Sequence, residues 1–404
     1  MKDKKIENIA FSKHTPSVFL VMSPFQLLCA IESVHVFDIS DYKIVFALSH
    51  KYVVRNNQMI QMAEQMSIDY DVQYIDDLSI DDYINDKPIP ILITESQGIK
   101  KYKRIFIGDY PHLGLHILAV AYANKDAIML YMDDGVASIS IFNGLYKGRC
   151  YVSEFNKPKL WWDQLSWYKN VYKKQKQKTD RLIDKLRKEG IYCSNCFFSL
   201  YGDINTKNYS LYPNTLSYLS TNYKNKVCDR ESVFVIGTVI KEYARRRSLQ
   251  ERDLEGVLQT KLIEVKEKWS DKEIFYIPHG RDVNKKVQSL CESLNITYMM
   301  LDSSIEYYIM KSNFYPVALY GFNSTALYTL KLLYPQSEII NWQINNKNEG
   351  NTIFYKSSNL IVDYYAKHGI ENDSVSYNCS NDTNNGLLYN IKYMLKMVCK
   401  KIIR

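Results

Sequence analysis

Short apolar runs of strand length, each stopped by a turn of Gly, Pro, Ser or Asp, alternate along this chain with stretches of helical periodicity. Residues 17–22, 43–48, 71–75, 104–107 and 127–132 are such runs in the first part of the chain. Residues 232–236, 273–277, 296–301, 316–320 and 337–341 repeat the pattern in the second. Helical periodicity occupies the intervals, from Ser23-Pro24 to about Phe37, at 53–67, up to Tyr122, near 250–268, and at 283–293, 303–311 and 323–333. Strands alternating with helices predict parallel sheets covered on both faces. A chain of 404 residues exceeds one ordinary core, so two domains are expected, over 1–228 and 229–386. Between the two alternations, 136–230 reads as less regular, with the interdomain linker at 202–230 and Trp161, Trp162 and Trp167 as packing anchors. Residues 344–386 read mostly as loop, with an apolar island at 360–366. Residues 387–404 read as an amphipathic basic helix that either packs back across the domain interface or lies at a membrane surface.

Composition narrows the function. A hydrophobic content of 46% with 24% charged residues fits a folded globular chain and excludes disorder. The 34 tyrosines read as base bias in the gene. A net charge of +8 suits an anionic ligand or an anionic membrane surface, yet no basic run carries the interleaved aromatics of a nucleic-acid module. The basic stretch 169–190 reads first as a solvated helix face, and alternatively as a contact for anionic lipid or glycan. Eight cysteines, several inside apolar segments, suggest free thiols in a reducing compartment. The single Cys193-Ser-Asn-Cys196 is a weak zinc or redox signal. The polar start and the short run at Val18–Met22 predict no signal peptide. No apolar run reaches the ~18 residues of a membrane span.

Three strand ends carry chemistry: Asp133-Asp134-Gly135, His279-Gly280-Arg281-Asp282 and Asn323-Ser324-Thr325. Each lies at the carboxyl edge of a predicted sheet, where open α/β sheets bind ligands. If the sheets face one another, carboxylates meet a histidine and hydroxyls across a cleft. That set suits transfer of a sugar from an activated donor. A carboxylate takes the acceptor proton, a histidine assists the departing phosphate, and hydroxyls at a helix start hold it. Each motif alone has a plainer reading. Asp-Asp-Gly is a common turn, and Ser324-Thr325 a common N-cap. A magnesium site of the DxD kind is disfavoured because the two aspartates are adjacent rather than alternate. Which of Asp133 and Asp134 takes the proton stays open.

The same blocks resemble a family. An acidic pair with Gly, then His, then Ser-Ser/Thr, in that order, is similar to the motif set of bacterial GT-B sialyltransferases of glycosyltransferase family 52, with polysialyltransferases and marine-type sialyltransferases as cousins. Val21-Met-Ser-Pro-Phe-Gln-Leu-Leu28 resembles their first strand-to-helix turn, and Phe234-Val-Ile-Gly-Thr238 their entry into the nucleotide domain. The resemblance spans about 17–333 in spaced blocks. It implies a GT-B-like fold, with two facing Rossmann-like domains and the active site between them. It also implies inverting transfer from CMP-sialic acid without metal or other cofactor. Asp133 or Asp134 would be the base and His279 the acid. Ser324 and Thr325 would bind the CMP phosphate, Glu306 the ribose, and Gly237 and Thr238 would line the donor pocket. Ser23, Gln26 and Asp109 are acceptor-side candidates, and Glu242 and Asp253 are reserve bases. The family's His-Pro is here His279-Gly280, which loosens the turn. The acceptor implied is a lipid-linked glycan (lipooligosaccharide, O-antigen or capsule) at the inner face of the bacterial cytoplasmic membrane, reached by peripheral contact. No nucleic acid is involved, and a homodimer is one expected assembly. The alternatives are a GT-B enzyme using another nucleotide-activated sugar and a non-catalytic polysaccharide-assembly protein.

Overall fold

The computed structural model describes residues 2–89, 100–146, 166–204, 209–222, 227–247, 249–282, 284–346 and 353–377. Seven strands form the first sheet: β1 (Ser17–Val21), β2 (Tyr42–Leu48), β3 (Tyr70–Tyr74), β4 (Tyr102–Ile107), β5 (Ala123–Met132), β6 (Ile191–Ser199) and β7 (Ser210–Pro213). Six form the second: β8 (Val227–Ile236), β9 (Glu273–Ile277), β10 (Thr297–Tyr298), β11 (Phe314–Gly321), β12 (Glu338–Asn346) and β13 (Glu371–Tyr377). All pairings are parallel. The orders are β3-β2-β1-β4-β5-β6-β7 and β10-β9-β8-β11-β12-β13. Each is the doubly wound order, reversing between β1 and β4 in one sheet and between β8 and β11 in the other. The fold is therefore α/β, with two Rossmann-like halves facing each other in a GT-B-like arrangement.

The central strands are buried on both faces, as a parallel sheet requires. Along β8 the side chains alternate between two apolar layers. Val233 and Val235 join Ala318, Tyr320 and Trp342 on one face. Phe234 and Ile236 face the other way, into a layer continuous with Phe19, Phe106 and Leu130 of the first sheet. One core thus runs from the first half into the second. The helix Pro24–Val36 opens as its sequence predicts, with Pro24 at its first position and the Ser23 hydroxyl accepting from the Gln26 amide at 3.3 Å. Such a cap contributes about 1 kcal/mol. Within that helix Glu32 is fully buried. It accepts from the Ser217 hydroxyl and the Tyr218 and Leu219 amides at 3.1, 2.9 and 3.1 Å, an anionic cap on the start of the helix Ser217–Asn222.

Several expectations are corrected. The stretch 136–230 is more regular than expected: besides the helix Ser166–Lys188, which falls on the expected helical stretch 169–190, it contains the helix Ala137–Tyr146 and strands β6 and β7. The chain crosses between halves only after Asn222 and before Val227, so most of the expected linker belongs to the first half. Residues 337–341 do not end the second sheet, since β13 pairs beyond β12. Within 344–386, a helix over Ile353–Lys367 and β13 replace the expected loop. That helix touches the first half through Tyr364 and Lys367, both bonded to Asp203. In the helix Ser166–Lys188, Lys178 and Lys185 pair with Asp81 and Asp86. Cys193 and Cys196 both lie in β6. Among the described residues no helix is long and apolar enough to cross a membrane, and no group of three His, Cys, Asp or Glu could hold a metal ion. Trp161, Trp162, the side chain of Trp167 and the helix expected at 387–404 lie outside the described residues.

Candidate active site

A cleft of about 660 Å³ lies between the halves, at the carboxyl ends of both sheets. The loops at both reversal points open into it, after β1 and β4 on one side and after β8 and β11 on the other. So do the turns after β5 and β9. On the first side Ser23, Gln26, Asp109 and Asp134 line it. Across it stand Gly237, Thr238, His279, Glu306, Ser324 and Thr325. Setting the reserve bases aside, ten of the eleven candidates therefore line one cleft, and Asp133 does not.

The two aspartates have different surroundings. Asp133 is 1% exposed and turned into the first half. Its carboxylate accepts from the Ser199 hydroxyl and the Leu200 amide, both at 2.6 Å. Asp134 faces the cleft, and its Oδ1 accepts from Gln26 Nε2 at 2.6 Å. Gln26 is itself fixed by the Met22 amide, which donates to its Oε1 at 2.7 Å. Gly108 makes this possible, because a Cβ there would stand 2.1 Å from Gln26 Oε1. One buried glutamine thus ties the ends of β1, β4 and β5 together and aims Asp134.

Asp134 keeps a water-reached face, but protein crowds it on the remaining sides. That loss of bulk solvent pushes its carboxyl up to about 6, against the Gln26 bond and the charges of Arg55 and Arg281. Burial, followed by repulsion from Asp134, holds Asp109 well above the usual carboxylate range. The pair therefore suits one proton between them, with Asp134 as the acceptor near neutrality.

On the second side, His279 Nδ1 accepts from the Arg281 amide at 3.1 Å, which places the ring proton on Nε2. Gly280 is needed for a steric reason. Gln58, arriving from the first half, would stand 2.6 Å from a Cβ there, and its Nε2 donates to the Leu301 carbonyl at 3.0 Å. The proline of the turn precedes the histidine, as Pro278, instead of following it. Gly237 is equally constrained, with the Tyr276 hydroxyl 2.6 Å from its would-be Cβ. Glu306 is buried in the first turn of the helix Ile305–Lys311. Burial raises its carboxyl, while its own amide and the Ser304 hydroxyl oppose that.

Ser324 stands at the N-cap of the helix Thr325–Leu333 without capping it through its side chain. Thr325 is partly spent. Its hydroxyl accepts from the Val136 amide across the cleft at 3.0 Å, beside Gly135. The turn before that helix holds Asn323 at a φ of 45°. Buried Asn341 fixes it by accepting from the Asn323 amide at 2.7 Å and donating to its side chain at 3.0 Å. Of the reserve bases, Glu242 lines the cleft and pairs with Arg281 at 3.6 Å. Asp253 instead closes the capping box of the helix Glu251–Lys268 and is not part of the cleft lining.

Sequence reasoning missed Tyr52, Arg55, Gln58 and His112, which also line the cleft. The signal available was Arg55 and Gln58 at i and i+3, a polar pair on one face of a short helix.

No protein-family model matches this chain, and neither does any curated protein. Among solved structures, a protein described as a UDP-N-acetylglucosamine 2-epimerase from Listeria monocytogenes is similar at 9% identity over 88% of this chain and 87% of that one, with a TM-score of 0.40. Arabidopsis thaliana UGT89C1 in complex with UDP-L-rhamnose is similar at 9% identity over 90% and 86%, with a TM-score of 0.38. The two-half architecture rests on its own strand orders, not on these likenesses.

Proposed function

We propose that this chain is an inverting glycosyltransferase that moves sialic acid from CMP-sialic acid to a hydroxyl of a bacterial surface glycan. The acceptor is lipid-linked, at the inner face of the cytoplasmic membrane. The observation that carries the reading is Asp134, held by Gln26 and facing His279 and the start of the helix Thr325–Leu333 across one cleft. Asp134 takes the proton of the acceptor hydroxyl as its oxygen bonds to the anomeric carbon. The bond from that carbon to the phosphate oxygen breaks, and its electron pair leaves on the phosphate. His279 offers its Nε2–H to that oxygen. The Ser324 hydroxyl and the helix start take up the charge. Asp133 points inward, so the two adjacent carboxylates do not converge on one ligand, which favours a base over a metal pair.

The test is CMP release from CMP-sialic acid with lipooligosaccharide or capsule acceptors. The base must be ionised to work, so kcat/KM should fall about tenfold per pH unit below about 6. His279→Ala should lower kcat roughly 10²-fold. Faster release from UDP- or CDP-sugars would replace the donor. No release from any nucleotide sugar with these glycans would end the glycosyltransferase reading.

A further inference from the structure

Two guanidinium groups meet in the cleft from opposite halves. Arg55 lies 4.5 Å from the centre of the Tyr52 ring, and Arg281 lies 5.8 Å from the same ring. Arg281 has a carboxylate near it, Glu242 at 3.6 Å. Arg55 has none: among the described residues no carboxylate comes within the 4.0 Å of an ion pair. Its Nε and Nη2 are buried without a hydrogen-bond partner. Leaving a buried donor unmet is costly, and more so when it is charged. Burial, and then the charge of Arg281, pull the Arg55 pKa down, and Asp134 only partly offsets them. A fold that holds two like charges together with unmet donors is arranged for a negative guest. A planar guanidinium binds an oxyanion through two parallel N–H bonds. The helix start at Ser324 lines the same cleft but belongs to the second half alone, whereas Arg55 and Arg281 come from both.

We infer that Arg55 and Arg281 form a receptor for one oxyanion of the substrate, closed by both halves and backed by Tyr52. This rests on the proposed function only for the identity of the guest, the donor's phosphate or the carboxylate of an acidic sugar. In either case the substrate carries charge at the reacting centre, and bound substrate links the two halves.

Inorganic phosphate, compared with chloride at matched ionic strength, is the first probe. Phosphate should raise the thermal midpoint of the wild-type chain. That rise should fall by more than half in Arg55→Gln and in Arg281→Gln, return in part in Arg55→Lys, and persist in Ser324→Ala. No rise in the wild type, or an equal rise in all variants, overturns the receptor. Arg281→Gln, at a partly exposed side chain, keeps the test valid if Arg55→Gln does not fold. CMP and free N-acetylneuraminate then identify the guest. Binding of CMP about tenfold weaker in Arg55→Gln assigns the phosphate. The same loss for N-acetylneuraminate assigns the carboxylate, and unchanged binding of both refutes the inference. If the wild type binds neither while the phosphate effect stands, the donor proposed above is wrong and the receptor is right.

Discussion

Asp134→Asn should lower the rate of transfer roughly 10²–10⁴-fold, the range for loss of a general base, whereas Asp133→Asn should leave turnover within a few-fold. In the first variant the new amide oxygen can still accept from Gln26, so the side chain keeps its position and loses only its basicity. In the second, the new amide can accept from the Leu200 amide and donate to the Ser199 hydroxyl, which accepts as readily as it donates. Burial also pushes Asp133 up to about 6, against its Ser199 and Leu200 bonds. For a carboxyl raised in this way, the stabilising contribution is present below the ordinary value of 3.8 and is lost as pH rises through about 6. Asp133→Asn should remove that loss and flatten stability over this window. The measurements are kcat with saturating donor and unfolding by denaturant at pH 4 and pH 7. Equal loss of turnover in both variants would reject Asp134 as the sole base.

Gly135→Ala should destabilise the chain by roughly 3 kcal/mol and weaken the cleft with it. Gly135 has a φ of 83°, a left-handed conformation that costs a side chain about 1–2 kcal/mol. Its Cβ would also stand 2.2 Å from Thr325 Oγ1 in the other half. Thr325→Ala alone removes the acceptor for the Val136 amide, a loss of about 1 kcal/mol. The double variant removes the clash but not the backbone strain, so its loss should fall short of the sum by at least ~1 kcal/mol. Denaturant unfolding of the four proteins closes this cycle. Strict additivity would mean that the two residues do not touch in solution.

The sheets were legible wherever a buried strand ends in punctuation. Ala127–Met132 before Asp133 and Phe314–Gly321 before Asn323 are of this kind, and the site followed because ligand-facing turns sit at such ends. Strands at a sheet edge or next to it lack the apolar run. Glu371–Tyr377 has Val375 as its one aliphatic residue, and Ile191–Ser199 opens with polar side chains interleaved. Arg55 was invisible for a different reason. A charged residue on a short helix reads as solvent-facing until another domain covers it. Gly108 and Gly280 likewise have no left-handed backbone to explain them. Each is small because a glutamine comes from elsewhere, Gln26 along the first half and Gln58 across the cleft. Tyrosines taken for base bias also join the halves: Tyr201 stacks on Tyr328 at 5.4 Å, and Tyr364 donates to Asp203 at 2.7 Å.

The apolar layer shared by Phe106 and Leu130 of one sheet with Phe234 and Leu319 of the other has a thermodynamic consequence. Two lobes joined only by a tether melt as independent units. Here neither lobe can lose its inner face without stripping that of its neighbour, so the cooperative unit is the pair. Calorimetry should give one transition with equal van't Hoff and calorimetric enthalpies, and two separated peaks would contradict it. Any ligand seated in the cleft would then protect residues far from it in either lobe.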